Sequence, residues 1–191
     1  YALELLSGAR RQIFVVFAAF MMVEKFGFEV HQLTALFLIN LVINIFAAPL
    51  FGYFIAHFGE RRALLIEYSG LICVFLAYGG IYLFDWGVVL AATLFVLDHL
   101  FFGLRIALKT YFQKISSPED IAPTAAVALS INHIAAIFLP VLLGLLWLVS
   151  PTIVFMVAAF LAFLSFLLAL LVPKLPIDGN EILPIPKMYS K

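Results

Sequence analysis

Long apolar stretches follow one another along the chain, separated by short polar breaks. A helix that crosses a membrane needs about 20 mostly apolar residues. The stretches occupy about 1–24, 33–56, 63–84, 87–115, 124–149 and 152–172, which predicts six transmembrane helices. The first break, Glu24 to Gln32, is polar and contains Gly27. Gly59, Glu60, Arg61 and Arg62 make a tight charged turn, and Asp85, Trp86 and Gly87 close the third stretch. In the loop 116–123, Ser117, Pro118 and Glu119 read as a helix start with a capping hydroxyl. Ser150 and Pro151 leave almost no room for a loop. Beyond 172 the period is lost among Pro173, Pro176, Pro184 and Pro186, so residues 173–191 are expected to be an extended, mobile tail. The expected domains are thus 1–172, an all-α membrane unit, and 173–191, a Pro-rich cytoplasmic tail.

Composition agrees with the pattern. The chain is 65% hydrophobic and 12% charged, against roughly 25% charged in soluble domains. A bilayer is therefore its expected solvent and first partner. The net charge of +0 gives no reason to expect nucleic acid. Cys73 is the lone cysteine, so an internal disulfide and a cysteine metal cluster are excluded. No ATP-binding or cofactor motif is found, and neither metal nor cofactor is expected. The apolar pattern is already under way at Tyr1 without a charged leader, which reads as a fragment entered inside or just before a helix.

Basic residues give a topology. Arg61, Arg62, Lys114, Lys174, Lys187 and Lys191 fall on one side, against Lys25 on the other. The positive-inside rule makes the first side cytoplasmic, with both chain ends there and Trp86 at the outer interface.

Ionisable groups inside a bilayer cost a few kcal/mol and mark function by default. Segments one and four carry Arg10, Arg11, Asp98, His99, Arg105 and Lys109. Segments two and five carry Asn40, Asn44, Asn132 and His133, and segment six has no ionisable group. The gradient from charged to polar to apolar runs twice. Two three-helix repeats would produce it, if the first helix of each lined a water-filled cavity and the third faced lipid. At 1.5 Å per residue, Asp98 lies about 18 Å past Trp86, and Arg10 and Arg11 lie about 21 Å inward of Lys25. Arg10, Arg11, Asn40, Asn44, Asp98, His99, Asn132 and His133 all fall near the midplane, the level at which transporters bind substrate. Plainer roles stay open. Asp98 is equally a structural partner for Arg10, Arg11 or His133, and the asparagines of segment two are more often interhelical glue than ligand contacts. Lys109 is expected to snorkel to the interface. Glu67 is expected to pair with Arg61 or Arg62. Two arginines against Asp98 leave a surplus cation, which favours a small anionic or zwitterionic solute.

The turn Gly52-Tyr-Phe-Ile-Ala56-His57-Phe-Gly59-Glu60-Arg61-Arg62 resembles the G-x-x-x-D-R-x-G-R-R loop signature of the major facilitator superfamily. Gly52, Gly59, Arg61 and Arg62 match; Ala56, His57 and Glu60 depart from it. The stretches Ala107 to Lys114, Pro118 to Thr124 and Ile131 to Ile134 resemble prokaryotic permeases of that superfamily. The resemblance implies two inverted three-helix repeats forming the C-terminal half of a twelve-helix fold, with six helices missing. It implies a prokaryotic inner-membrane secondary transporter, with a proton as one option for the coupling ion, that moves a small molecule and is not an enzyme. Two other classes stay in view: a structural or assembly membrane protein, and an intramembrane enzyme. The enzyme reading lacks both an H-E-x-x-H zinc motif and the glycine frame of a serine protease.

Overall fold

The computed structural model describes residues 1–177, 182 and 183. Six helices are long and apolar enough to cross a membrane: α1 (Ala2–Phe26), α2 (Val30–Phe58), α3 (Glu60–Phe84), α4 (Val88–Ile115), α5 (Ile121–Val149) and α6 (Pro151–Leu170). No strand occurs among the described residues. The expectation of an all-helical, multi-pass membrane chain is met at this level.

The connections follow from local chemistry. Gly27 ends α1 in the left-handed region, at φ 67, where a side chain is disfavoured. Glu29 and Gln32 then form a reciprocal capping box that starts α2 three residues before the expected point. Gly59, at φ 84, is the whole link between α2 and α3. Ser150 does the same for α5 and α6, with Pro151 in the first turn of α6. The expected helix start at Ser117 is displaced. Its hydroxyl bonds the Asp120 carboxylate at 2.8 Å in a turn, and α5 starts at Ile121.

α3 and α6 make the most extensive contact in the bundle. Buried positions of α6 are mostly small: Ala158, Ala159, Ala162, Ser165 and Ala169. Those of α3 are large, with Leu64, Tyr68, Leu71, Phe75 and Tyr78 among them. Small residues let helices approach closely where lipid offers no hydrophobic drive. This corrects the expectation that the third helix of each repeat faces lipid: α3 is more than half buried, whereas α2 and α5 are almost uncovered. The absence of charge from α6 reflects packing as much as lipid. Its outer positions Phe160, Phe163 and Leu167 remain exposed.

Around this spine α1 packs on α5 and α6, and α4 packs on α3 and α2. Phe14 and Phe95 bring α1 and α4 together, with ring centroids 4.8 Å apart. Helices α2 and α5 are each 29 residues long, and the twentieth residue of each is a proline, Pro49 and Pro140. Helices α1 and α4 are the irregular ones. In α1 a π-helical stretch runs Ile13–Ala18. In α4 the amides of Leu104 and Arg105 reach back three residues to Phe101 and Phe102, a tight turn in mid-helix.

The segment after α6 is partly packed. Pro173 and Pro176 are buried, and the Leu183 amide donates to the Leu171 carbonyl at 2.8 Å. The other stretches of the expected tail, 178–181 and 184–191, lie outside the described residues.

Candidate functional site

Successive residues of a helix point about 100° apart, so the neighbours Arg10 and Arg11 enter different surroundings. Glu4, Gly8 and Arg11 share one face of α1, at spacings of four and three. Arg10 points instead toward α3.

On the first face an ionic network joins α1, α4 and α5. Arg105, placed by the tight turn of α4, donates from Nη2 to Glu4 Oε2 at 2.8 Å and to Asn132 Oδ1 at 3.3 Å. Asn132 donates from Nδ2 to the same Glu4 oxygen at 3.0 Å and to the Ala128 carbonyl at 2.8 Å. Gly8 makes this approach possible, because a methyl group there would collide with the Asn132 side chain. Next to the network is a cavity of about 480 Å³, lined by Glu4, Arg11, Arg105, Lys109, Gln113 and Asn132 among others. Pockets for small ligands span roughly 300–1,000 Å³.

Arg10 belongs to a sealed cluster. It is 1% exposed and lies 3.7 Å from the carboxylate of Glu67, which is fully buried. Its guanidinium stacks 4.5 Å above the Tyr68 ring, and its Nε donates to the Leu6 carbonyl at 3.3 Å. Asp98 is buried within electrostatic range of the same arginine. Neither Arg10 Nη atom makes a hydrogen bond, nor does either Glu67 oxygen or Asp98 Oδ2. Glu67 therefore meets Arg10, not Arg61 or Arg62 as expected.

The remaining expected residues divide. Asn40 is buried and its amide reaches the Phe95 carbonyl at 3.5 Å. Asn44 Nδ2 lies 3.3 Å from His99 Nε2, an interhelical contact between α2 and α4. These act as the helix-to-helix glue foreseen for them. His133 is exposed and takes no part in either cluster. Lys109 is exposed and lines the cavity.

The loop motif also resolves into separate roles. Gly59 supplies the positive φ. Arg62 lies 6.0 Å from the Phe58 ring centre. Gly52 has nothing within 4 Å of where a side chain would begin. Glu60, one of the departures from the motif, is 2% exposed and pairs with Lys114 at the end of α4. At the opposite end of the bundle Lys25 Nζ lies 2.8 Å from Asp85, and that ammonium holds the exposed Asp85 carboxyl below its ordinary range.

Sequence reasoning missed Glu4, and with it the role of Arg105. The signal was a charge count. In the membrane-length helices Glu4, Glu24, Glu60, Glu67 and Asp98 stand against Arg10, Arg11, Lys25, Arg61, Arg62, Arg105, Lys109 and Lys114, so weighing two arginines against Asp98 alone undercounts both signs. No family model, curated protein or solved structure matches this chain.

Proposed function

We propose that this chain is a six-helix half of a secondary transporter of the facilitator type, set in a prokaryotic cell membrane with both ends cytoplasmic. The observation that carries the reading is the cavity between α1, α4 and α5, with a hydrogen-bonded Glu4–Arg105–Asn132 network at its wall. Buried charge is costly in a bilayer and is retained where it lines a substrate path. The irregular stretches fall in α1 and α4, the two helices that bring the most charge to the interior. Discontinuous helices are a recurring feature of transporter sites.

The packing supports an internal repeat. Exchanging the first three helices for the last three turns the α1–α5 contact into α4–α2, and α1–α6 into α4–α3. The α3–α6 contact maps onto itself, and the matched prolines of α2 and α5 exchange as well. The uncovered flanks of α2 and α5 suit the missing six helices. An assembly protein without transport would need no cation-lined cavity in its interior.

Alternating access gives a test that does not require the solute to be known. Ala128 lines the cavity. In the full-length protein, Cys73→Ala with Ala128→Cys should react with an impermeant maleimide from each side of the membrane. Labelling confined to one side, under every solute and gradient applied, removes the transport reading.

A further inference from the structure

We propose that the cavity between α1, α4 and α5 is a binding site for a small soluble dianion, held between Arg11 on one wall and Lys109 on the other. The inference rests on the transporter reading and names its substrate class. Four charged side chains line this space: Glu4, Arg11, Arg105 and Lys109. Glu4 is spent on Arg105, at 2.8 Å. Arg11 and Lys109 have no acidic partner among the described residues, although each lies on a helix of membrane-spanning length. The wall therefore holds two uncompensated positive charges. Asp98 is buried within electrostatic range of Arg10 and does not line the cavity.

The network gives those charges a fixed frame. Arg105 is braced by Glu4 and Asn132, and its Nε is buried without a partner. A guanidinium presents a planar fork suited to carboxylate or phosphate oxygens, whereas an ammonium supplies a point charge. Gln113 adds an amide to the same wall. A ligand with two separated negative charges, such as a short dicarboxylate, satisfies both cations at once. A monoanion meets only one of the two. Inorganic phosphate or a small phosphate ester meets the same need with one compact group. A lipid phosphate would offer related chemistry, and the experiment separates the two sources.

The purified chain in phosphatidylcholine nanodiscs is titrated calorimetrically with succinate, inorganic phosphate, butyrate and putrescine. Succinate or phosphate should bind saturably. Butyrate should bind about tenfold more weakly, a loss of about 1.4 kcal/mol. Arg11→Gln and Lys109→Gln should each weaken the dianion by about tenfold or more, and Arg11→Lys and Lys109→Arg should recover part of the loss. Thermal melting of each variant shows that it remains folded. Absence of dianion binding overturns the proposal, as do Gln variants that bind like the parent. If neither dianion binds and phosphatidylglycerol copurifies unless Lys109 is replaced, the site belongs to a lipid headgroup and the soluble ligand is wrong. Dianion binding by the chain without dianion flux by the full-length protein in liposomes keeps the site and removes the transport reading. Flux of putrescine without dianion binding does the reverse.

Discussion

Two buried ion pairs hang from the same helix, less than two turns apart, and they are built in opposite ways. Glu4 and Arg105 meet at 2.8 Å, share Asn132 as a third partner and border a cavity. Arg10 and Glu67 lie 3.7 Å apart without a hydrogen bond between them, 1% and 0% exposed. The cavity wall has more cations than acids, whereas Arg10 lies within electrostatic range of two buried carboxyls, Glu67 and Asp98. A buried pair repays its desolvation only when its geometry is good and its remaining donors and acceptors are met. The first pair comes close to that condition and the second does not. The comparison separates a polar group that presents charge to a ligand from one that locks helices together.

The largest effect is expected where the pair is sealed. Glu67→Ala removes the carboxyl that pairs with buried Arg10 at 3.7 Å, a loss of about 3–5 kcal/mol. The triple replacement Arg10→Met, Glu67→Leu and Asp98→Leu should melt close to the parent, since well-packed apolar residues often substitute for a whole buried ionic group. Glu4→Ala, beside a cavity that admits water, should cost less, about 1–3 kcal/mol. Thermal or denaturant unfolding in one detergent ranks all three. If Glu4→Ala proves costlier than Glu67→Ala, the two pairs have been assigned to the wrong roles.

Gly8 sharpens the same contrast. Alanine there gains about 1 kcal/mol of helix propensity, which offsets roughly the same loss from a displaced hydrogen bond. Gly8→Val has no such compensation and should cost about 1–3 kcal/mol through overpacking. It should also loosen the Arg105 network, read as weaker dianion binding in the same variant. Binding that is unchanged in Gly8→Val would mean that Asn132 does not brace the site.

The smallest effect belongs to the exposed pair at the other end of the bundle. The Lys25 ammonium lowers the Asp85 carboxyl below its unfolded value, so the pair stabilises above the ordinary carboxylate range. That contribution fades as pH falls through the lowered value. The difference in melting temperature between parent and Asp85→Asn should therefore shrink from pH 7 toward pH 3, and adding salt at pH 7 should shrink it too. A difference that grows on acidification contradicts the assignment.

Helix number and extent were readable because apolar length is a strong signal in a bilayer. The spans differ from those expected by about three residues at most, and the largest shifts occur where Glu29, Gly59 and Asp120 set the true ends. The direction of side chains was less readable. Glu4 sits where a helix entrance ordinarily carries an acid, so its pairing with Arg105 is invisible without the α1–α5 contact that Gly8 permits. Arg10 and Arg11 look equivalent in sequence, and helical geometry alone sends one to Glu67 and the other to the cavity. His133 fell at a plausible depth on an uncovered face. Depth follows from counting residues, whereas facing depends on which helix packs where.

The Glu4–Arg105 pair also bears on how the chain is made. Its two members are 101 residues apart in sequence. At a synthesis rate of about 5–20 residues per second, roughly 5 to 20 s pass between the emergence of one and the other. During that interval the first helix has its acid but not its guanidinium partner. Among the six, that helix has the lowest hydropathy, 1.4 against 2.9 for the last. The element least able to enter the bilayer unaided is thus the one whose charge is matched only when translation is well into the fourth helix.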